Sequence, residues 1–267
     1  MSTDGIRREP SVTLSRALQA VVALLIALGV VAAVGRAVFP RDIITRAESL
    51  RLWTFEALGR HDPLAAQRPA EVARMDATFA AHPRLTLLHV VPGALFLLFV
   101  PLQFSSRMRA RHRALHRWSG RVLLSLLLAA LLPGLYFGIR MPYGGPLEAL
   151  AVALFGGALL ASIVVAFVAI RRGQITRHRE WMIRVFAFVI AISTERLAFA
   201  ALDVALTPSG YRTPDQFVLS VWIAWIVTLA AAEAWIRYTR GRVSVALPSE
   251  TRDGDSYRAI RKSPAAG

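Results

Sequence analysis

Two similar motifs, HRWSGR at residues 116–121 and HREWMIR at residues 178–184, combine histidine with arginine. Histidine is a common axial ligand of haem iron, and arginine pairs well with carboxylates such as the haem propionates. His116 and His178 could therefore be the axial ligands of a b-type haem, with Arg121 and Arg184 beside its propionates. The alternative is that these residues set the topology or contact anionic lipids, because arginine is common where a helix leaves the membrane.

A zinc site at the same place is disfavoured. His112 lies about one helical turn before His116, so the two residues and His178 could supply three imidazoles. The surrounding arginines oppose a divalent cation, however, and Glu180 is the only carboxylate near them in the sequence. The chain also has no cysteine, which removes thiolate ligands, iron–sulfur clusters and disulfides. The sequence therefore predicts no metal site.

Polar and ionisable residues within apolar segments form a second candidate site. His89, Glu195 and Arg196 each lie within about two helical turns of one end of their segment. Such residues are costly in lipid and usually face a bundle interior or a cavity. With Arg184 they could mark an anion or proton path in a small transporter or in an assembly factor for a membrane complex. His89 is also a candidate cofactor ligand, and Gln103, at the end of the second segment, is a further polar residue within a span. The structural alternative is that Glu195 and Arg196 neutralise each other or bond across helices.

Six apolar segments must position these residues. Hydrophobic residues make up 55% of the chain, and the mean hydropathy is +0.47. Each segment has about 20 residues, enough to cross a hydrocarbon core as a helix with its backbone groups satisfied internally. The segments are Ala17–Phe39, Leu85–Phe104, Val122–Ile139, Leu147–Ile170, Trp181–Leu202 and Phe217–Ile236. The sequence predicts an all-α membrane protein with about six transmembrane helices.

The basic residues are distributed unevenly. A formal net charge of +15 could indicate nucleic acid binding, but the arginines lie in short clusters between the apolar segments, which excludes that class. Two clusters, at residues 107–121 and 171–184, predict by the positive-inside rule that these connections face the cytoplasm. Both termini are then cytoplasmic. We expect a bacterial inner-membrane protein whose partner is the lipid bilayer, with anionic lipids at the cytoplasmic face.

The predicted organisation follows from these segments. The predicted regions are a cytoplasmic N-terminus (1–16), a first helix (17–39), a periplasmic segment (40–83), a four-helix core domain (84–202), a last helix (217–236) and a disordered tail (243–267). In the periplasmic segment the apolar residues Leu50, Trp53 and Phe55 predict a short amphipathic helix. This helix either packs as a connection or lies on the outer membrane interface.

The two histidine–arginine motifs open helices that run in the same direction, so the middle four helices are predicted to be two parallel copies of one hairpin. Between Phe79 and about Ala198 the sequence, with its Leu88-His89, Pro92-Gly93 and Pro101-Leu102-Gln103-Phe104 words, resembles a family of predicted bacterial membrane proteins catalogued as a domain of unknown function. The resemblance covers slightly under half of the chain and implies no established biochemistry. More distantly, the four-helix core resembles the bundles of two-haem transmembrane b-type cytochromes, which implies haem b as a cofactor.

Overall fold

The structure, a computed structural model, describes residues 12–39, 43–60 and 62–245. Within these residues the regular elements are nine α-helices and one short 3-10 turn, Thr207–Ser209. The helices are α1 (Val12–Val38), α2 (Ile43–Ala57), α3 (Arg68–Ala81), α4 (Pro83–Phe104), α5 (Ser106–Arg111), α6 (Arg113–Arg140), α7 (Pro146–Arg171), α8 (Ile175–Leu206) and α9 (Thr213–Val245). The predicted all-α class is confirmed.

Six helices are long and apolar enough to cross a membrane, namely α1, α4, α6, α7, α8 and α9. This confirms the predicted spans, although several helices extend beyond the apolar segments. Helix α6 begins at Arg113 rather than Val122, and α8 begins at Ile175 rather than Trp181. Hydropathy marks only the part of a helix that lies in hydrocarbon, whereas arginine is a good helix former and lets the helix continue outside it.

The connection between α6 and α7 shows how local sequence ends one span and starts the next. Gly145 has a φ of 78°, which a residue with a side chain rarely adopts, and Pro146 occupies the first turn of α7. The Glu148 carboxylate accepts a hydrogen bond from the Gly144 N–H at 2.6 Å. This bond satisfies a backbone donor just before the helix, as in a capping box.

The spanning helices pack around one apolar core. Helix α4 packs along α6, α7 along α8 and α8 along α9, and α1 lies against α4 and α8. The buried core comprises Phe96, Leu97, Val100, Leu123, Leu127, Ala151, Phe155, Leu159, Ile163, Val185, Phe188, Val189, Ile190 and Val221. Because Val221 belongs to this core and α9 packs extensively along α8, the last span is part of the bundle. The domain boundaries and the hairpin repeat stay predictions.

The bundle has two ends that differ in charge and construction. We call the end that holds the starts of α6 and α8 and the ends of α4, α7 and α9 the arginine end. We call the other end, which α2 and α3 cover, the cap end. The predicted N-terminal segment and the predicted tail fall mainly on residues 1–11 and 246–267, outside the described residues, and residues 243–245 continue α9 as helix.

The segment predicted to be periplasmic forms two helices, α2 and α3, rather than one. In the turn between them, the Asp62 carboxylate accepts a hydrogen bond from the Leu64 N–H at 2.8 Å, and Pro69 lies in the first turn of α3. Helix α3 is fastened to α1 by an ion pair between Arg36 and Asp76 at 2.5 Å. The two helices therefore pack onto the bundle as a cap.

A buried ionic network fastens the cap to α8. Arg51 donates to Asp203 at 2.6 Å, to Asp62 at 2.7 Å and to Glu48 at 3.0 Å. Arg68 donates to Glu48 at 2.8 Å and to Asp203 at 3.0 Å. Burial alone lowers the pKa of Arg51, but its hydrogen bonds to Asp203 and Asp62 outweigh burial and raise the pKa above its ordinary value. We call these five residues the Arg51 network.

Candidate functional site

His89 lies on α4 and contacts α6 within the bundle. Its Nδ1 is 2.8 Å from the carbonyl oxygen of Ala130, and because a carbonyl only accepts, Nδ1 is the donor. Ala130 lies just before Pro133, which has no N–H and so breaks the hydrogen-bond ladder of α6. Neighbouring helices commonly satisfy carbonyls near such breaks in lipid. Gly134 makes room for the ring, because a Cβ there would lie 2.8 Å from Cε1 of His89.

Glu195 lies on α8 and faces α9. Its Oε1 accepts a hydrogen bond from the Ser220 hydroxyl at 3.0 Å. Glu148, at the start of α7, is within electrostatic range of the same carboxylate. Glu195 is therefore hydrogen-bonded by a neutral hydroxyl and lies within electrostatic range of both Glu148 and the neighbouring Arg196.

Arg196 points to a different side of α8, because consecutive residues of a helix are about 100° apart. It is within electrostatic range of His89 on α4 and Arg36 on α1, and its Nη1 donates to the Ile192 carbonyl of its own helix at 2.5 Å. No ion pair within 4.0 Å involves Glu195 or Arg196 among residues 12–39, 43–60 and 62–245. We call His89, Glu195, Arg196 and Ser220 the membrane site.

Polar groups continue from the membrane site toward the cap end. Arg36, which approaches Arg196, pairs with Asp76 and lies 4.9 Å from the centre of the Phe79 ring. The Oδ2 atom of Asp76 is buried and has no hydrogen-bond partner among the described atoms. The membrane site thus connects to the cap through α1 and α3.

Toward the arginine end the polar groups stop. The α8 residues Val185, Phe188, Val189 and Ile190 lie in the buried core between Arg184 and the membrane site. Eleven residues of helix separate Arg184 from Glu195, which is roughly 16 Å at 1.5 Å per residue. The structure therefore separates Arg184 from the other residues of the predicted polar path.

At the arginine end His116 and His178 come within electrostatic range of each other. Nδ1 of His178 lies 2.9 Å from the Ala166 carbonyl of α7, to which it donates. Nδ1 of His116 is buried without a hydrogen-bond partner in the part of the chain that the structure describes. The two motifs therefore differ in their hydrogen bonds although their sequences are similar.

The predicted propionate partners are placed elsewhere. Arg184 forms a two-pronged ion pair with Glu233 of α9, at 2.5 Å and 3.0 Å, and its guanidinium stacks 4.6 Å from the Trp181 ring centre. Arg121 is exposed. Gln103 at the end of α4 donates to the Ser119 hydroxyl at 2.7 Å, which makes it a helix contact. The arginines that the haem prediction requires are not gathered around the two imidazoles.

Two shallow cavities open at the same end. One of about 560 Å³ lies over the α7–α8 connection at residues 173–177. The other, of about 530 Å³, is lined by Thr176, Arg177, Glu180, Trp181, Arg184 and Arg240. Neither is lined by His116 or His178. No group of three or more histidine and acidic residues that could hold a metal ion occurs within the described ranges.

Sequence reasoning missed the partners that α9 supplies. Glu233 pairs with Arg184, Arg240 forms a two-pronged pair with Glu180, and Ser220 binds Glu195. The sequence did contain a signal for Glu233, because a carboxylate near the end of an apolar segment needs a cationic partner such as arginine at the same depth in the membrane. The Arg51 network has no local signal, because Arg51 and Asp203 are 152 residues apart.

A family model of predicted membrane proteins, described as DUF2306, matches residues 86–236. The match covers more than half of the 267 residues and includes the membrane site and both histidine–arginine motifs. It extends through most of α9, well beyond the predicted limit near Ala198. No curated protein and no solved structure matches the chain. The chain belongs to this family of predicted membrane proteins.

Proposed function

We propose that this membrane protein is a proton-linked transporter in which Glu195 is the carboxyl that binds the proton. One observation carries the proposal: Glu195 and Arg196 are ionisable groups inside a span that interact electrostatically as neighbours but form no ion pair within 4.0 Å among the described residues. Arg184 at the arginine end and Arg51 at the cap end both have carboxylate partners. Charges inside a membrane that are not neutralised by partners usually mark an ion or substrate pathway.

The contacts of Glu195 suit a group that gains and loses a proton. As a carboxylate it accepts the hydrogen bond of the Ser220 hydroxyl, and once protonated it can donate to the same oxygen after the hydroxyl rotates. A charged carboxylate is costly in an apolar interior, and protonation removes the cost of its charge. Arg196 places a positive charge close to Glu195, which favours an anion as the coupled substrate. The imidazole of His89 offers a site for a second proton.

The apolar core closes the membrane site on one side in this conformation. Phe188 and its neighbours close the route to the arginine end, whereas Arg36 and Asp76 continue it to the cap end. A transporter exposes its site to one side at a time, with rocking of helices around it. Under this proposal the structure corresponds to a state that is closed toward the arginine end.

Proton entry into liposomes tests the proposal directly. The purified protein is reconstituted with a pH-sensitive dye inside, and a potassium diffusion potential drives protons inward. We expect Glu195→Gln to slow entry at least about tenfold, equivalent to about 1.4 kcal/mol in the barrier. The matched control is Glu56→Gln, because Glu56 is exposed on α2, and it should behave as the wild type. Equal rates for wild type and Glu195→Gln would contradict proton transport and favour an assembly role.

A second readout does not depend on the coupled substrate. Infrared spectra recorded across a pH titration should contain the carbonyl stretch of a protonated carboxyl that disappears in Glu195→Gln and remains in Glu56→Gln. Identical titrations for all three proteins would show that Glu195 does not exchange a proton and would refute its proposed role.

Haem b at the arginine end is a second candidate, favoured by the geometry of His178. Its Nδ1 donates to a backbone carbonyl, which leaves Nε2 as the ring nitrogen with a lone pair, and ligating histidines typically have such a partner. Protein expressed with ample haem should then show a Soret band that both His116→Ala and His178→Ala abolish and His112→Ala retains. Absence of the band, together with no haem uptake on reconstitution, would eliminate this candidate.

We further propose that the arginine end faces the cytoplasm of a bacterial inner membrane, which places both termini there and sets this end against anionic lipids. The support is its excess of arginine, since cytoplasmic connections carry most of the basic residues in such proteins. We also propose that residues 84–202 form a four-helix core domain. To test the orientation, single cysteines are placed at either end of the bundle and labelled with a membrane-impermeant thiol reagent.

A further inference from the structure

The polarity of helix α2 is inverted relative to that of a helix packed on a protein in water. The face toward the bundle carries Glu48, Arg51 and Phe55, of which Arg51 belongs to the buried network and Phe55 is only 3% exposed. The opposite face presents Leu50 and Trp53, which are 66% and 64% exposed. The ionic side is thus covered, and the apolar side is open.

This arrangement is unfavourable if the outer face meets water. A surface helix of a soluble domain turns its apolar stripe inward and its charges outward. Buried charges and exposed apolar patches are the informative exceptions to this pattern. An exposed apolar patch marks a surface that contacts a partner or a membrane. The exposed side chains of α2 therefore need an apolar environment.

The depth of α2 identifies that environment. Only residues 39–42 separate the end of α1 from the start of α2, so α2 begins where the first span leaves the membrane. On its other side, Arg51 is bonded to Asp203 of α8 at 2.6 Å. A hydrocarbon core takes about 20 helical residues, and Asp203 follows Trp181, the start of the apolar segment, by about that distance. Both connections place α2 at the membrane boundary.

We infer that the outer face of α2 lies in the interfacial layer of the bilayer at the cap end, with Leu50 and Trp53 in contact with lipid. Tryptophan is enriched at this depth because its ring is apolar and its N–H can be hydrated. The Arg51 network holds the helix to the bundle from the other side. Helix α2 is therefore bound by lipid on one face and by α8 on the other, and it is an interfacial element rather than part of an aqueous domain.

The absence of cysteine from the chain makes a site-specific test direct. Single replacements Leu50→Cys and Trp53→Cys carry a nitroxide spin label in the full chain, reconstituted in phospholipid vesicles. The collision rates of each label with oxygen, which concentrates in lipid, and with a water-soluble nickel chelate are compared. Two references bracket the scale: Leu132→Cys, which is exposed on α6 within a span, and Ala66→Cys in the exposed turn before α3.

We expect the oxygen-to-nickel collision ratio of both α2 labels to exceed that of the Ala66→Cys label at least about threefold, since an apolar layer excludes the polar chelate. A ratio equal to that of Ala66→Cys would place the face in water and overturn the inference. Low collision rates with both reagents and dipolar broadening between labels would assign the face to a second copy of the chain. Low rates without broadening would assign it to another protein surface, and either result also overturns contact with lipid.

Discussion

Replacing Asp203 by alanine should lower the free energy of unfolding by about 3 kcal/mol. Asp203 is 3% exposed and accepts hydrogen bonds from Arg51, Arg68 and the Thr207 hydroxyl. Its removal leaves two buried guanidinium groups with fewer carboxylates, and removing one partner of a buried pair costs about 3–5 kcal/mol. We expect the lower end of this range, because Arg51 keeps Asp62 and Arg68 keeps Glu48.

Denaturant unfolding in detergent micelles measures this loss. The control is Asp215→Ala, an exposed aspartate in the first turn of α9, where interaction with the helix dipole contributes only about 0.3–1 kcal/mol. Asp203→Asn separates charge from hydrogen bonding, since it keeps one acceptor oxygen and loses the charge. If Asp203→Ala costs no more than Asp215→Ala, the Arg51 network does not hold the cap on the bundle.

Gly138→Ala should destabilise the protein by about 1–3 kcal/mol, the usual cost of overpacking a filled interior. Gly138 lies where α6 meets α7, and a Cβ there would come within 2.6–2.9 Å of three atoms of Val152. One of those atoms is Cβ itself, and a β-branched side chain has few rotamers with which to move away. The two helices would have to separate, which disturbs the neighbouring contacts of α7.

The same clash predicts that a second substitution, at Val152, restores some stability to the Gly138→Ala variant. Val152→Ala removes the two methyl groups that a new Cβ would meet but keeps the Val152 Cβ, 2.9 Å away, so the double variant should recover part of the stability lost by Gly138→Ala. The control on the adjacent helix is Gly157→Ala, which meets nothing within 4 Å and should be neutral or gain about 0.5–1 kcal/mol from the better helix former. Thermal unfolding in nanodiscs of the four proteins gives the comparison. A double variant no more stable than Gly138→Ala would show that the α6–α7 contact at Gly138 is not the cause.

Helix α8 carries the ionic groups of this protein at three levels. At the arginine end Glu180 and Arg184 pair with Arg240 and Glu233 of α9, and at the cap end Asp203 binds the Arg51 network. Between them Glu195 and its neighbour Arg196 have no ion pair. The helix is thus held by ion pairs at both ends. In the middle, where the proposed proton exchange takes place, it carries two opposite charges that interact only at longer range.

The sequence by itself determined the all-α class, the six spans and the family. An apolar segment long enough to cross the hydrocarbon core must be a helix, because each of its backbone groups needs a partner within the segment. These are local properties, so hydropathy identifies such segments without any knowledge of packing. It also identified His89, Glu195 and Arg196 as polar residues inside spans, because an ionisable residue within an apolar segment is visible in the sequence whatever its partners are.

The tertiary structure alone decided which groups meet. It paired Arg184 with Glu233 rather than leaving it beside a propionate, included α9 in the bundle, joined Arg51 to Asp203 and turned the apolar face of α2 outward. Each outcome depends on the rotation of a helix about its own axis and on contacts between distant parts of the chain. Spans that are apolar on all sides carry little periodicity to specify that rotation, so close packing and a few ion pairs specify it instead.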